Sequence, residues 1–222
     1  MQSGSVNTGN KINDFVQRNR KAIYIGMGVI IFLVAAFVVS VSLNDFFMKK
    51  SIGRVEELAQ EFSDIQSSLN EDDKQDAVRK LLDDLNEFAK NKRGFAAGRA
   101  LSITGQIHWE REEWSLAEEA FRSAAKSASK TYLAPAALYN AGACAEEQGN
   151  LEQAIELYTA CVSHPFEYPA AVRAQFAVGR LNEKSENITA ALEAYRSLLG
   201  KWPHLTVWTN LAQSRIASLE TR

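Results

Sequence analysis

Histidine, cysteine and proline are all scarce in this 222-residue chain, with three, two and four copies. Each shortage closes a route to function. His108, His164 and His204 stand far apart, and none has a partner at the spacing that metal ligation requires. His108 reads instead as a packing residue. No stretch outside the most apolar run alternates apolar and polar residues with period two, so no strand is expected. A glycine-rich phosphate loop after a strand is thereby excluded, and "GMG" (26–28) falls inside that apolar run. No Ser, Cys or Lys is accompanied by an obvious base. The acidic clusters "EDD" (71–73) and "DD" (83–84) read as a helix start and a solvated face. Nothing is left to carry catalysis, a cofactor or a metal, and no small-molecule substrate is expected. The chain does not read as an enzyme.

Charge is missing too, but only locally. From Ala22 to Leu43, "AIYIGMGVIIFLVAAFVVSVSL", 22 residues pass without one. At 1.5 Å per residue that run reaches ~33 Å, enough for a bilayer core of ~30 Å. A cleaved signal peptide would carry an apolar stretch of roughly 7–15 residues. An uncleaved signal anchor is therefore expected. No cysteine directly follows the run, which excludes a lipoprotein. Residues 1–43 carry four basic groups and one acidic, and the remainder carries 21 basic and 26 acidic. That mildly acidic remainder offers no electrostatic footprint for nucleic acid.

Lys11, Arg18, Arg20 and Lys21 precede the run, and Lys49, Lys50 and Arg54 follow it. This charge bias barely favours one orientation. A short polar N-terminus, one span and a long remainder is the layout of an anchor that carries its C-terminal part across the membrane. In a bacterium this places the domain in the periplasm, on the outer side of the inner (cytoplasmic) membrane. The inverted arrangement, with the domain in the cytosol, remains the alternative.

Residues 1–10 are small and polar and are expected to be disordered. Val55, Leu58, Ala59, Phe62, Ile65 and Leu69 recur at helical steps until "NEDDK" (70–74) breaks the stripe. Ala77, Val78, Leu81, Leu82, Leu85 and Phe88 mark a second helix, closed by "NKRG" (91–94). Beyond it the chain repeats itself every 37 residues. The columns are Ala100, Ala137 and Ala174; Gly105, Gly142 and Gly179; Ala117, Ala154 and Ala191; and Phe121, Tyr158 and Tyr195. A fifth column is Trp114, Leu151 and Ile188. The prolines Pro135, Pro165, Pro169 and Pro203 fall between the second helix of one unit and the helix after it.

The pattern predicts an all-α chain: a transmembrane helix, then a solenoid of helix hairpins. The expected parts are a polar, basic segment (1–21), the span (22–43) and a divergent helical hairpin (44–93). Three repeats (94–204) and a capping helix (205–222) complete it. The small eighth residue, the Ala at position twenty and the aromatic at position twenty-four resemble the tetratricopeptide repeat. Gly and Ala let the two helices approach, and the ring is expected to fill the gap to the next unit. Two features depart from that family: the period is 37 rather than 34, and the fourth position holds Leu101, Leu138 and Gln175.

In such arrays the first helices line a concave face, at positions two, five, six, nine and twelve. These are Arg99, Ser102, Ile103, Gln106 and Trp109, then Ala136, Tyr139, Asn140, Ala143 and Glu146. The third unit supplies Arg173, Phe176, Ala177, Arg180 and Glu183. The mixture of rings and arginines suits protein recognition. The carboxylate clamp of some tetratricopeptide domains is not complete here: Asn140 and Arg173 fit it, whereas Ser102, Gln106 and Ala177 do not. Cys144 and Cys161 fall in the two helices of one unit, and two unpaired structural thiols are favoured over a disulfide.

The layout as a whole, with "EFA-x-N-K" leading into "GFAAGRAL", resembles the ancillary subunit of the bacterial Sec translocon. That resemblance implies partners among translocon components, periplasmic chaperones or client polypeptides. A scaffold in another envelope assembly (cell wall, secretion or motility) has the same layout, and the residues do not separate the two.

Overall fold

The computed structural model describes residues 6–68 and 71–221, with the side chains of residues 1–12, 14, 68–72 and 222 outside the description. The described residues form nine helices and no strand. They are α1 (Val6–Ser68), α2 (Glu71–Asn91), α3 (Gly94–Glu110), α4 (Trp114–Ser127) and α5 (Leu133–Glu147). The remainder are α6 (Leu151–Ser163), α7 (Ala171–Lys184), α8 (Ile188–Lys201) and α9 (Thr206–Glu220). Where disorder was expected over residues 1–10, α1 already begins at Val6, and residues 1–5 lie outside the described residues. Of the break expected at residues 70–74, Asn70 lies outside them, as does Leu69 of the preceding stripe, and α2 opens at Glu71.

The chain divides into two units, residues 1–50 and 51–222. In the first, the helix is long and apolar enough to cross a membrane. Its apolar side chains are uncovered, with Tyr24 70%, Phe32 71% and Phe37 69% exposed. An apolar surface of this extent is far larger than water-facing helices tolerate.

The second unit is a stack of hairpins. Val55, Leu58, Phe62 and Ile65 of α1 pack with Leu81 and Leu85 of α2 and with Ile103 and Ile107 of α3. Successive first helices run parallel. Glu56 of α1 meets Arg99 near the start of α3, and Gln66 meets Glu110 at its end. Phe176 of α7 likewise meets Trp208 near the start of α9, and Glu183 meets Arg215 further along. Every first helix therefore starts on one edge of the stack and ends on the other.

Three features explain why each repeat closes the same way. A Cβ built on Gly105 would lie 2.8 Å from the Phe121 ring, on Gly142 2.9 Å from Tyr158, and on Gly179 2.5 Å from Tyr195. Each ring thus covers the glycine of its own hairpin, and it also belongs to the core shared with the next unit. The alanines Ala117, Ala154 and Ala191 are fully buried beside them. Between the two helices, Glu112, Gly149 and Glu186 adopt left-handed φ of 58°, 75° and 59°. These positions are themselves 37 apart. Each turn is closed by the same pair of backbone bonds, for example Gly149 N–H to Glu146 O at 2.9 Å and Asn150 N–H to Ala145 O at 2.9 Å. Asn150 and Asn187 then cap the second helices, accepting from the amides of Gln153 and Ala190.

Two local departures from expectation have simple causes. Pro135 sits in the first turn of α5 rather than between helices, where a missing N–H costs nothing. Gln175, at the position where the tetratricopeptide family often has Trp, is buried because its amide donates to Ala194 O at 3.0 Å.

Candidate functional site

One cleft on the face of the first helices gathers most of the residues singled out above. It encloses about 470 Å³ between α3, α5 and the start of α7. Arg99, Ser102, Gln106 and Trp109 line it from α3, Tyr139 and Asn140 from α5, and Arg173 from α7. The Phe121 ring forms part of its wall, and Leu133 closes one end, a residue sequence reasoning missed because it precedes the periodic positions.

The side chains in the cleft differ in how far they are already engaged. The Arg99 guanidinium donates to Glu56 at 3.1 and 3.4 Å. The Ser102 hydroxyl donates to Gly98 O at 2.9 Å, and the Gln106 amide donates to Glu110 at 3.4 Å. Trp109 leans edge-on against Trp114, 4.8 Å between centroids. Two groups remain available among the described residues. Asn140 is half-buried and makes no hydrogen bond there. Arg173 is exposed, lies 5.6 Å over the Tyr139 ring, and has no carboxylate partner among the described residues. A guanidinium engaged with a ring face and no carboxylate still has N–H donors to offer an acceptor.

Phe176 and Arg180 lie apart from this cleft. Phe176 packs on Tyr195 at 5.3 Å and on Trp208 at 5.6 Å, so α9 covers it. Arg180 grips the Glu146 carboxylate at 2.7 and 2.8 Å. Ile103 and Ala177, expected on the concave face, are buried in the core instead. At ~100° per residue, position six sits at the margin of the stripe formed by positions two, five, nine and twelve. A close neighbour is then enough to cover it, as happens to these two but not to Asn140.

The location of the cleft has a reason in the repeat itself. In the second and third units, position twelve is a glutamate that joins the ring of its own hairpin to an arginine of the following first helix. Tyr158 donates to Glu146 at 3.4 Å, and Tyr195 donates to Glu183 at 2.6 Å, with Arg180 and Arg215 completing the two sets. The hydrogen bonds from Arg180 hold the Glu146 carboxyl below the usual carboxylate range, against the opposing effect of burial. Burial and the neighbouring carboxylate push both tyrosine hydroxyls up. In the first unit the same positions are Trp109 and Phe121, and Ala143 faces them where the next unit has Arg180. Among the described residues no ion pair fills that level of the groove, and an open, ring-walled space takes its place.

Other polar residues hold the array together. The buried Glu118 carboxylate accepts from Gln148 and Gln153, both at 2.8 Å, tying α4 to the next hairpin. His108 is half-buried, with Nδ1 2.5 Å from Glu113 at the first turn. Cys144 and Cys161 are buried free thiols, and burial pushes both up to about 12. Among the described residues no group of three or more metal-binding side chains converges.

Comparison with known proteins agrees with this packing. Residues 104–167 match the tetratricopeptide repeat family. The chain is also similar to a TPR repeat-containing protein of Treponema pallidum (strain Nichols), 36% identical over 126 residues. That alignment takes in 57% of this chain and 52% of the relative, so the chain spans about half the length of the protein it matches. By residue pattern and by helix packing alike, the hairpin array of this chain is tetratricopeptide-like.

Proposed function

We propose that the chain is a membrane-anchored, non-enzymatic scaffold whose cleft between α3, α5 and α7 receives an extended segment of a partner protein. The carrying observation is the coincidence of Asn140 and Arg173, neither with a hydrogen-bond or ion-pair partner among the described residues, with the rings of Trp109 and Tyr139 in one open space. Asn140 offers an amide that matches a peptide backbone, Arg173 a fork for an acidic group, and the rings a seat for an apolar side chain. α1 supplies the anchor by its length and apolarity.

The resemblance of the stretch around 85–121 to ancillary Sec translocon subunits supports placing this scaffold beside the channel, with the array on the periplasmic side of the inner membrane. Tethering there raises the effective concentration of a bound chaperone or client at the channel exit, so modest cleft affinity suffices. The test is co-purification of the full chain from its own membranes in mild detergent, compared with a Tyr139→Ala/Arg173→Glu variant. Translocon components and chaperones are expected with the parent chain, and chaperones or clients are expected to be lost from the variant at unchanged helicity. Recovery of a cell-wall, secretion or motility assembly instead would move the scaffold elsewhere in the envelope. A reporter fused after Arg222 that is active only in the cytosol would invert the topology.

A further inference from the structure

The two edges of the hairpin stack are chemically different. On one lie the connections between hairpins, residues 90–95, 126–133, 163–170 and 200–207. Together they carry six basic residues and one acid. On the other lie the turns within hairpins, residues 109–114, 146–151 and 183–188, with seven acids and two basic residues. In a remainder that is acidic overall, the connections between hairpins are thus net basic and the turns within hairpins net acidic.

The basic edge is also the aromatic one. Tyr132 is 66% exposed and rests against Phe95, 5.6 Å between centroids. Phe166 is 41% exposed, and Lys201 lies 5.9 Å over the half-buried Trp202 ring. A cleft of about 720 Å³ opens there, lined in part by Phe166, Tyr168, Pro169 and Trp202. The acidic edge has its two tryptophans, Trp109 and Trp114, half-buried against each other.

A third observation orients this asymmetry. Within the second unit, the α1 segment that starts at Ser51 runs parallel to α3, with Glu56 beside Arg99 and Gln66 beside Glu110. Ser51 therefore lies on the edge where α3, α5, α7 and α9 begin, which is the basic, aromatic edge. The residues just before it are Lys49 and Lys50, and before them comes the apolar run.

We infer that this edge of the array rests on the headgroup layer of an anionic bilayer, the one in which α1 is anchored. Lysine and arginine are drawn to anionic lipid within about a Debye length of the surface, and Tyr and Trp favour the interfacial zone. The inference rests on the anchor reading and is tested separately from it.

The full chain is reconstituted into vesicles of zwitterionic lipid, or of the same lipid with about a third phosphatidylglycerol (a content set by the anionic surface potential sought). A fluorescent label is placed at Tyr132→Cys on the proposed edge or at Ser185→Cys on the opposite one; the native thiols are buried. Quenching by nitroxide carried on lipid headgroups is then read for each. The expected result is at least a twofold stronger quenching at 132 than at 185 in the anionic vesicles. That excess should shrink in high salt and with Lys130→Glu/Lys201→Glu. Equal quenching at the two sites, or an excess indifferent to salt and to charge reversal, overturns the inference, provided the chain resists carbonate extraction. Extraction by carbonate would instead refute the anchor itself.

Discussion

Replacing Gly142 by Ala separates tertiary packing from helix propensity, because the two push in opposite directions. In an exposed helix interior the change stabilises by roughly 0.8–1 kcal/mol. Here the new Cβ would stand 2.9 Å from Cδ1 and 3.0 Å from Cε1 of Tyr158. Carbon atoms settle at about 3.5–4.0 Å, so the ring must retreat by about half an ångström. It has little room to do so. Tyr158 is 3% exposed, touches Tyr139 at 5.4 Å and bonds Glu146 through its hydroxyl. Overpacking of this kind costs roughly 1–3 kcal/mol, which against that gain leaves a net loss of up to about 2 kcal/mol. Gly53→Ala is the matched control, since its Cβ would meet nothing within 4 Å and only the helix gain remains. The assay is urea unfolding of the full chain in mild detergent, followed by far-UV circular dichroism. Gly142→Ala should lower the midpoint and Gly53→Ala should raise it. Adding Tyr158→Leu to Gly142→Ala should cost less than Tyr158→Leu costs alone. A raised midpoint for Gly142→Ala would refute the ring-on-glycine account of the repeat.

Four further outcomes rest on the turns, the thiols and the ion pair. Glu112→Gly and Glu186→Gly should each stabilise by about 0.5–1 kcal/mol in that assay, because a side chain in the left-handed region is strained. Gly149→Ala should cost about 1 kcal/mol for the same reason. Cys144 and Cys161, both pushed up to about 12, should ignore a thiol reagent at neutral pH in the native chain. Both should react once the chain is unfolded without reductant, and no reaction then would reveal a disulfide. The Glu146 carboxyl is held low by Arg180, so its share of stability is complete above the ordinary glutamate range. That share is lost as pH falls through the lowered value. Arg180→Ala should therefore destabilise by up to about 1 kcal/mol at neutral pH, with the difference fading in acid.

The 37-residue period carried most of the architecture, because small and aromatic residues at fixed offsets leave few ways for two helices to meet. Gly105, Gly142 and Gly179 were legible as points of close approach, yet the partner of each ring was not. A column of aromatic residues says that a ring is needed, not which side of the helix it folds over. The left-handed turn positions were hidden for another reason. Two of the three are glutamates, which give no hint of positive φ, and only Gly149 announces it. Ion pairs such as Arg180 with Glu146 join side chains that each look solvated when read alone. In the cleft, the faces of the helices were legible from spacing, and nine of the fifteen groove positions singled out line the same space. Arg180 and Phe176 were lost to it because an ion pair and the terminal helix α9 occupy them, which are contacts between units rather than properties of one helix.

The central claim is that the cleft between α3, α5 and α7 receives a partner protein. A photo-crosslinking side chain at Tyr139, compared with one at the exposed turn residue Ser185, measures this directly in intact cells. Discrete adducts with a polypeptide from position 139, absent from position 185 and abolished by Arg173→Glu, are the predicted result. Adducts that are equal at both positions, or missing from 139 alone, would contradict it.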